Sequence, residues 1–130
     1  MIPVARRTFS CPVELTLDVL GGKWKSVILA HLKTGPLRYG ELRRLVPRLS
    51  DKVLVERLVD LEQLGLVARA KRGRRGAPST YRLTRRGATL GPALQALYDW
   101  GERMAPELGA IIELAPRSKE STERGGTTVG

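Results

Sequence analysis

Leu54, Leu58 and Leu61 fall at i, i+4 and i+7 in the stretch SDKVLVERLVDLEQLGL, with Leu64 three residues further on. That spacing predicts a helix with one apolar stripe against a core, while Lys52, Val55, Glu56 and Val59 point elsewhere. Ser50 suits its N-cap and Asp51 its first turn. Gly65 supplies the stop. Leu66 to Lys71 and Ser79 to Leu83 then read as two strands around a tip from Arg72 to Pro78. The tip holds Arg72, Arg74 and Arg75, two glycines and no acid.

Upstream, Tyr39 to Val46 reads as a shorter helix with Leu42, Leu45 and Val46 on its inner face, closed by Pro47, which cannot extend the hydrogen-bond ladder. Helix, tight link, helix and basic hairpin is the layout of a winged helix-turn-helix. The expected fold class is therefore α+β, mainly α, with a β-hairpin wing and N- and C-terminal dimerisation helices. The charge agrees with this layout. From Gln63 to Tyr98 there is no acid, and Arg69, Lys71, Arg72, Arg74, Arg75, Arg82, Arg85 and Arg86 concentrate much of the formal net charge of +10 on and beside the hairpin. Such a patch is the footprint of a polyanion partner, because each neutralised phosphate releases counterions. Taken alone, a charge run also fits a solvated basic surface.

The chain divides into an arm at 1–9, a domain at 10–114 and a disordered tail at 115–130, where RSKESTERGGTTVG has little to bury. Ser10 or Cys11 caps a first helix that runs to Leu20, with Pro12 and Glu14 in its first turn and Gly21-Gly22 at its end. Lys23 to Lys33 forms a second, with Trp24, Ile28 and Leu32 in register. Thr34-Gly35-Pro36 stops it, and Leu37-Arg38 forms a short strand that pairs with the hairpin. Thr84 is placed as the cap of a long fifth helix. Leu90, Leu94, Leu97, Gly101, Met104, Leu108 and Ile111 alternate steps of four and three, a heptad seam suited to pairing with a second copy. Pro106 should kink or restart it near Ala105.

One cysteine excludes an intrachain disulfide, and no run approaches the roughly 20 apolar residues of a membrane span. With no signal peptide in view, the expected location is the cytoplasm, without a membrane partner. No Ser-His-Asp grouping, cysteine pair or phosphate loop is present, so no enzyme activity, cofactor or metal is expected. His31 lacks a second ligand and reads as packed. Trp24, Tyr98 and Trp100 could line a ligand pocket, but aromatics at helical spacing read first as core. Cys11 has two readings. A thiol at a helix N-terminus meets the positive dipole end, which favours thiolate, with Arg6 and Arg7 close in sequence. The plainer reading is an inert cysteine packing as a small apolar residue.

The stretches CPVELTLDVLGGKWKSVIL, GPLRYGEL, LSDKVLVERLVDLEQLGLVAR, STYRLTRRG and ALQALYDWG, in order from Cys11 to Gly101, resemble the HxlR-type regulators, winged-helix proteins of the MarR-like group in bacteria. The resemblance implies a homodimer with two wings on a partly palindromic double-stranded DNA operator. It also implies that Cys11 responds to oxidants, quinones or reactive aldehydes, as the matching cysteine does in several relatives. One departure is Val55, where the family often has a hydroxyl; valine loses a hydrogen bond to a base edge and offers contact with a thymine methyl instead. The same helix carries Asp51, Glu56, Asp60 and Glu62 against Lys52 and Arg57, so it attracts DNA poorly by itself.

On this reading Ser50, Lys52, Val55, Glu56 and Arg57 face the major groove. Arg38, Arg43 and Arg44 contact the backbone and set register. Arg72, Arg74 and Arg75 enter or straddle the minor groove. The dimer interface falls on Leu90, Leu94, Leu97, Gly101, Met104 and Leu108. A repressor released by modification of Cys11 is the leading expectation. The alternatives are a regulator with an inert cysteine that binds a small ligand, and a winged-helix module that binds protein or structured RNA.

Overall fold

The computed structural model describes residues 7–70 and 79–114. The arm before Arg7, the hairpin tip with Arg72, Arg74 and Arg75, and the tail from 115 lie outside the described residues. In chain order the elements are α1 (Pro12–Leu20), α2 (Lys25–Leu32), β1 (Leu37–Arg38), α3 (Tyr39–Leu45), α4 (Asp51–Gln63), β2 (Val67–Ala70), β3 (Thr80–Leu83), α5 (Arg85–Ala88) and α6 (Gly91–Leu108). This is the mainly helical α+β class expected, with a three-stranded antiparallel sheet in the order β1-β3-β2. Thr80 pairs with both Arg38 and Ala70, so the short β1 extends the hairpin sheet as anticipated.

The core follows the helical stripes. Leu54, Leu58 and Leu61 of α4 meet Ile28, Leu29 and Leu32 of α2, Leu42 and Val46 around α3, and Tyr81 from the central strand. None of these leucines and isoleucines is more than 2% exposed. Trp24 packs half-buried at the margin of this cluster. Burial of whole Leu or Ile side chains contributes about 1.5–3 kcal/mol each before chain entropy is charged against it, so α2, α3 and α4 form one rigid block.

Glycine sets two of the joints. Gly65 adopts φ +75 just past α4, and the Gly65 and Leu66 amides donate to the Glu62 and Leu61 carbonyls, closing the helix with the double bond pattern that requires a left-handed residue. Gly87 has a different reason. A Cβ there would overlap the Leu66 carbonyl oxygen, so no other residue lets α5 press against the strand root.

Three expectations change. Thr84 caps a helix, but only the one-turn α5, its hydroxyl accepting from the Gly87 amide at 3.0 Å. The long helix begins afresh at Gly91 because Pro92, in its first turn, has no N–H for the Ala88 carbonyl and its ring would crowd that carbonyl. Pro106 does not restart the helix either. It sits in the last turn of α6, which runs on to Leu108 and ends at Gly109 with φ +70. The neighbouring Glu102 is exposed, so water can satisfy the carbonyl that Pro106 leaves without a donor. Finally, Tyr98 and Trp100 are not core: they are 51% and 54% exposed.

Candidate nucleic-acid interface

α4 presents two unlike faces. Its inner stripe is sealed in the core, while Lys52, Val55, Glu56 and Val59 form the opposite, exposed face. The helix start is fixed by its cap: Ser50 Oγ accepts from the Val53 amide at 3.2 Å. A cap of this kind stabilises a helix by about 1 kcal/mol. The bond uses one lone pair of the Ser50 hydroxyl, whose O–H can still donate.

α3 and α4 are joined by a side-chain tie. Asp51 accepts from the Tyr39 hydroxyl at 2.6 Å and from Arg43 Nε at 2.9 Å, and Arg43 also donates to the Val46 carbonyl at 3.3 Å. The Tyr39 bond, then Arg43, holds the Asp51 carboxyl below its ordinary range. Partial burial, then the same bond, pushes the Tyr39 hydroxyl up to about 12. Arg43 is thus spent largely inside the protein, bracing the turn between the helices. From the sequence Asp51 is placed in the first turn of α4, but neither it nor Tyr39 is marked as a tie to α3. The signal was present: Tyr39 and Arg43 are i, i+4 on α3, facing the first turn of the next helix.

Arg57 is also engaged. It lies on the flank of α4, half-buried, 2.6 Å from Asp60 and 3.9 Å from Glu56, set back from the exposed face. Arg38 and Arg44 are exposed and line a shallow open depression of about 210 Å³ with Gly40 and Glu41. Two guanidiniums beside so shallow a recess suit a phosphate oxygen better than an apolar ligand. Glu41 moderates this charge, accepting from the Arg38 amide at 2.8 Å.

The wing is rooted in the end of α4. The Thr84 amide donates to the Leu66 carbonyl at 3.0 Å, the Thr84 hydroxyl to the Gly65 carbonyl, and Arg86 Nη1 to the Leu64 carbonyl at 2.8 Å. Arg69 and Arg82 stand exposed on the described part of the hairpin.

Cys11 is the N-cap residue of α1 and its thiol is free and exposed. Arg7, expected nearby as a source of positive charge, is instead paired with Asp18 through two bonds of 2.9 and 3.0 Å. Glu14 folds back on Ser10, accepting from its amide and hydroxyl, and these bonds lower its carboxyl below the ordinary range. Along the same helix Val13 and Leu17 are 64% and 62% exposed. Of the expected seam residues, Leu90 is the N-cap of α6 and partly covered, Leu94 is buried against the core and Gly101 and Met104 are partly covered, whereas Leu97 and Leu108 are exposed.

A capped helix braced at one end, its outer face clear, and a hairpin pinned to its other end together define a winged helix-turn-helix DNA-binding regulator. The chain belongs to the HxlR-like helix-turn-helix family, which its residues 19–108 match. It is 41% identical over 93 residues to the uncharacterized HTH-type transcriptional regulator YdeP of Bacillus subtilis (strain 168), covering 72% of this chain and 73% of that one. Among solved structures it is similar to the redox regulator HypR in its reduced form, at 37% identity and a TM-score of 0.73 over 76% of this chain and 98% of the other. The reduced transcriptional regulator YodB from B. subtilis follows at 32% identity and a TM-score of 0.63, over 73% and 94%. The chain is therefore a transcriptional regulator, in a family of DNA-binding proteins rather than enzymes. Among the described residues, no helix is long and apolar enough to cross a membrane.

Proposed function

We propose that the chain acts as a homodimeric repressor on a partly palindromic operator and is released when an oxidant or electrophile modifies Cys11. The observation that carries this reading is the free, exposed thiol at the cap of α1, beside an apolar face that the chain itself leaves uncovered at Val13 and Leu17. A group at that place can be reached by a small reagent, and a change there alters the surface a second copy would cover. HypR, by its description a redox regulator with reduced and oxidised forms, supports the same chemistry in a protein of this fold. Lys52, Val55 and Glu56 face the bases in this reading. Arg38 and Arg44 hold phosphates, and Arg72, Arg74 and Arg75 supply the wing's charge.

The test is titration against the DNA upstream of the chain's own gene, at two salt concentrations, with and without diamide, for wild type and Cys11→Ser. Specific binding lost on oxidation, restored by reductant and insensitive to diamide in Cys11→Ser is the expected result. Binding that diamide abolishes equally in both proteins would overturn the role of Cys11.

A further inference from the structure

Val55 and Val59 are 47% and 42% exposed, one turn apart on the outer face of α4. Each follows a core leucine, Leu54 or Leu58, yet points away from the core cluster, which among the described residues includes neither valine. Between and beside them stand Lys52 and Glu56, also exposed. Two β-branched apolar side chains are poor choices for a helix surface in water, since they lower helix propensity and gain nothing from burial. They suit a face that meets an apolar partner. In a major groove, the apolar group on the base edges is the 5-methyl of thymine.

We propose that Val55 and Val59 read a pair of thymine methyl groups in each operator half-site. This rests on the proposal that α4 enters the major groove. Side chains at i and i+4 have Cβ atoms about 6 Å apart, and stacked bases are 3.4 Å apart along a strand, so the two methyls lie within about two base-pair steps of one another. The occupant is double-stranded DNA rather than another apolar surface because the stretch that follows α4 carries eight basic residues and no acid from Gln63 to Tyr98, and the fold is that of a DNA-binding family. Charge brings the polyanion to this face, and the valines select within it. Glu56 sharpens the selection: an acceptor without a donor, it is satisfied by a base amino group and repelled by N7 or O6. A hydroxyl at position 55 could bond to several base edges, whereas valine accepts a methyl and leaves a polar edge unpaired.

The experiment begins with selection of duplexes from a random pool by the full chain. Each thymine of the selected half-site is then replaced by deoxyuridine, which removes the methyl and leaves every hydrogen-bonding group in place. Two positions, within about two steps of one another, should each weaken binding about fourfold, the worth of one buried carbon. Val55→Ala and Val59→Ala complete a double-mutant cycle, and both variants fold because alanine is the better helix former. Each variant should lose affinity for the thymine duplex and lose nothing further when its own methyl is absent. Selection of a sequence that tolerates deoxyuridine everywhere, or additive losses in the cycle, would overturn the methyl readout while leaving α4 in the groove. Failure to select any sequence would overturn the groove reading, and this inference with it.

Discussion

α4 and α6 are both amphipathic helices with leucines at helical spacing, yet the chain completes one and leaves the other open. α4 sinks Leu54, Leu58 and Leu61 to 1% exposure or less, and its outer face carries short or charged side chains. α6 buries Leu94 and leaves Leu97, Trp100 and Leu108 more than half exposed, as are Val13 and Leu17 on α1. A helix whose stripe is filled by its own chain is a fixed platform, and what it offers outward can be small and selective. One whose stripe stays wet is half of something larger. In the proposed function the two surfaces have separate duties: α4 for DNA, and α6 with α1 for a second copy.

Substitutions should behave oppositely on the two helices. Leu58→Ala, in the sealed stripe, should cost about 2–5 kcal/mol of stability, read as a lower urea midpoint. A loss below 1 kcal/mol would mean that the α4 stripe is no better filled than that of α6. Leu97→Asp on α6 should leave the helical circular dichroism of the separated chain intact and shift sedimentation from dimer toward monomer. A variant that stays dimeric would move the interface off this seam. The smallest effect concerns the brace at the start of α4. Hydrogen bonds from Tyr39 and Arg43 lower the Asp51 carboxyl, so the tie contributes stability above the unfolded value and loses it as pH falls through the folded one. Asp51 is largely exposed, so the contribution is modest. Its carboxyl carbon should titrate by NMR with a midpoint below 3.8, and a midpoint at or above that value would show the tie absent in solution.

Much of this was legible in the chain because the signals were local. Ser50 as a cap, the Leu54 to Leu61 stripe and Gly65 specify α4 within sixteen residues, and the structure keeps each. Even the two-residue β1 was readable between Pro36 and the next helix. What failed needed knowledge of what lies opposite. Helical spacing marks Tyr98 and Trp100 as sharing a period with α6 but cannot say whether anything packs on them. Thr84 looks the same whether it caps one turn or six, and Pro92 held the deciding information. The brace of Tyr39, Arg43 and Asp51 joins two elements, so it becomes visible only when both are placed. Arg57 likewise reads as a free cation until its geometry with Asp60 is known.

The clasp of Thr84 and Arg86 on residues 64–66 has a consequence for how such a protein can diversify. Together with the pairing of Ala70 with Thr80, it fixes both roots of the hairpin to the end of α4. Because these bonds are made by residues 64–70 and 80–86, a change confined to 71–78 should leave α4 in its seat. Gly87, which admits no side chain, marks a boundary past which such changes must stop.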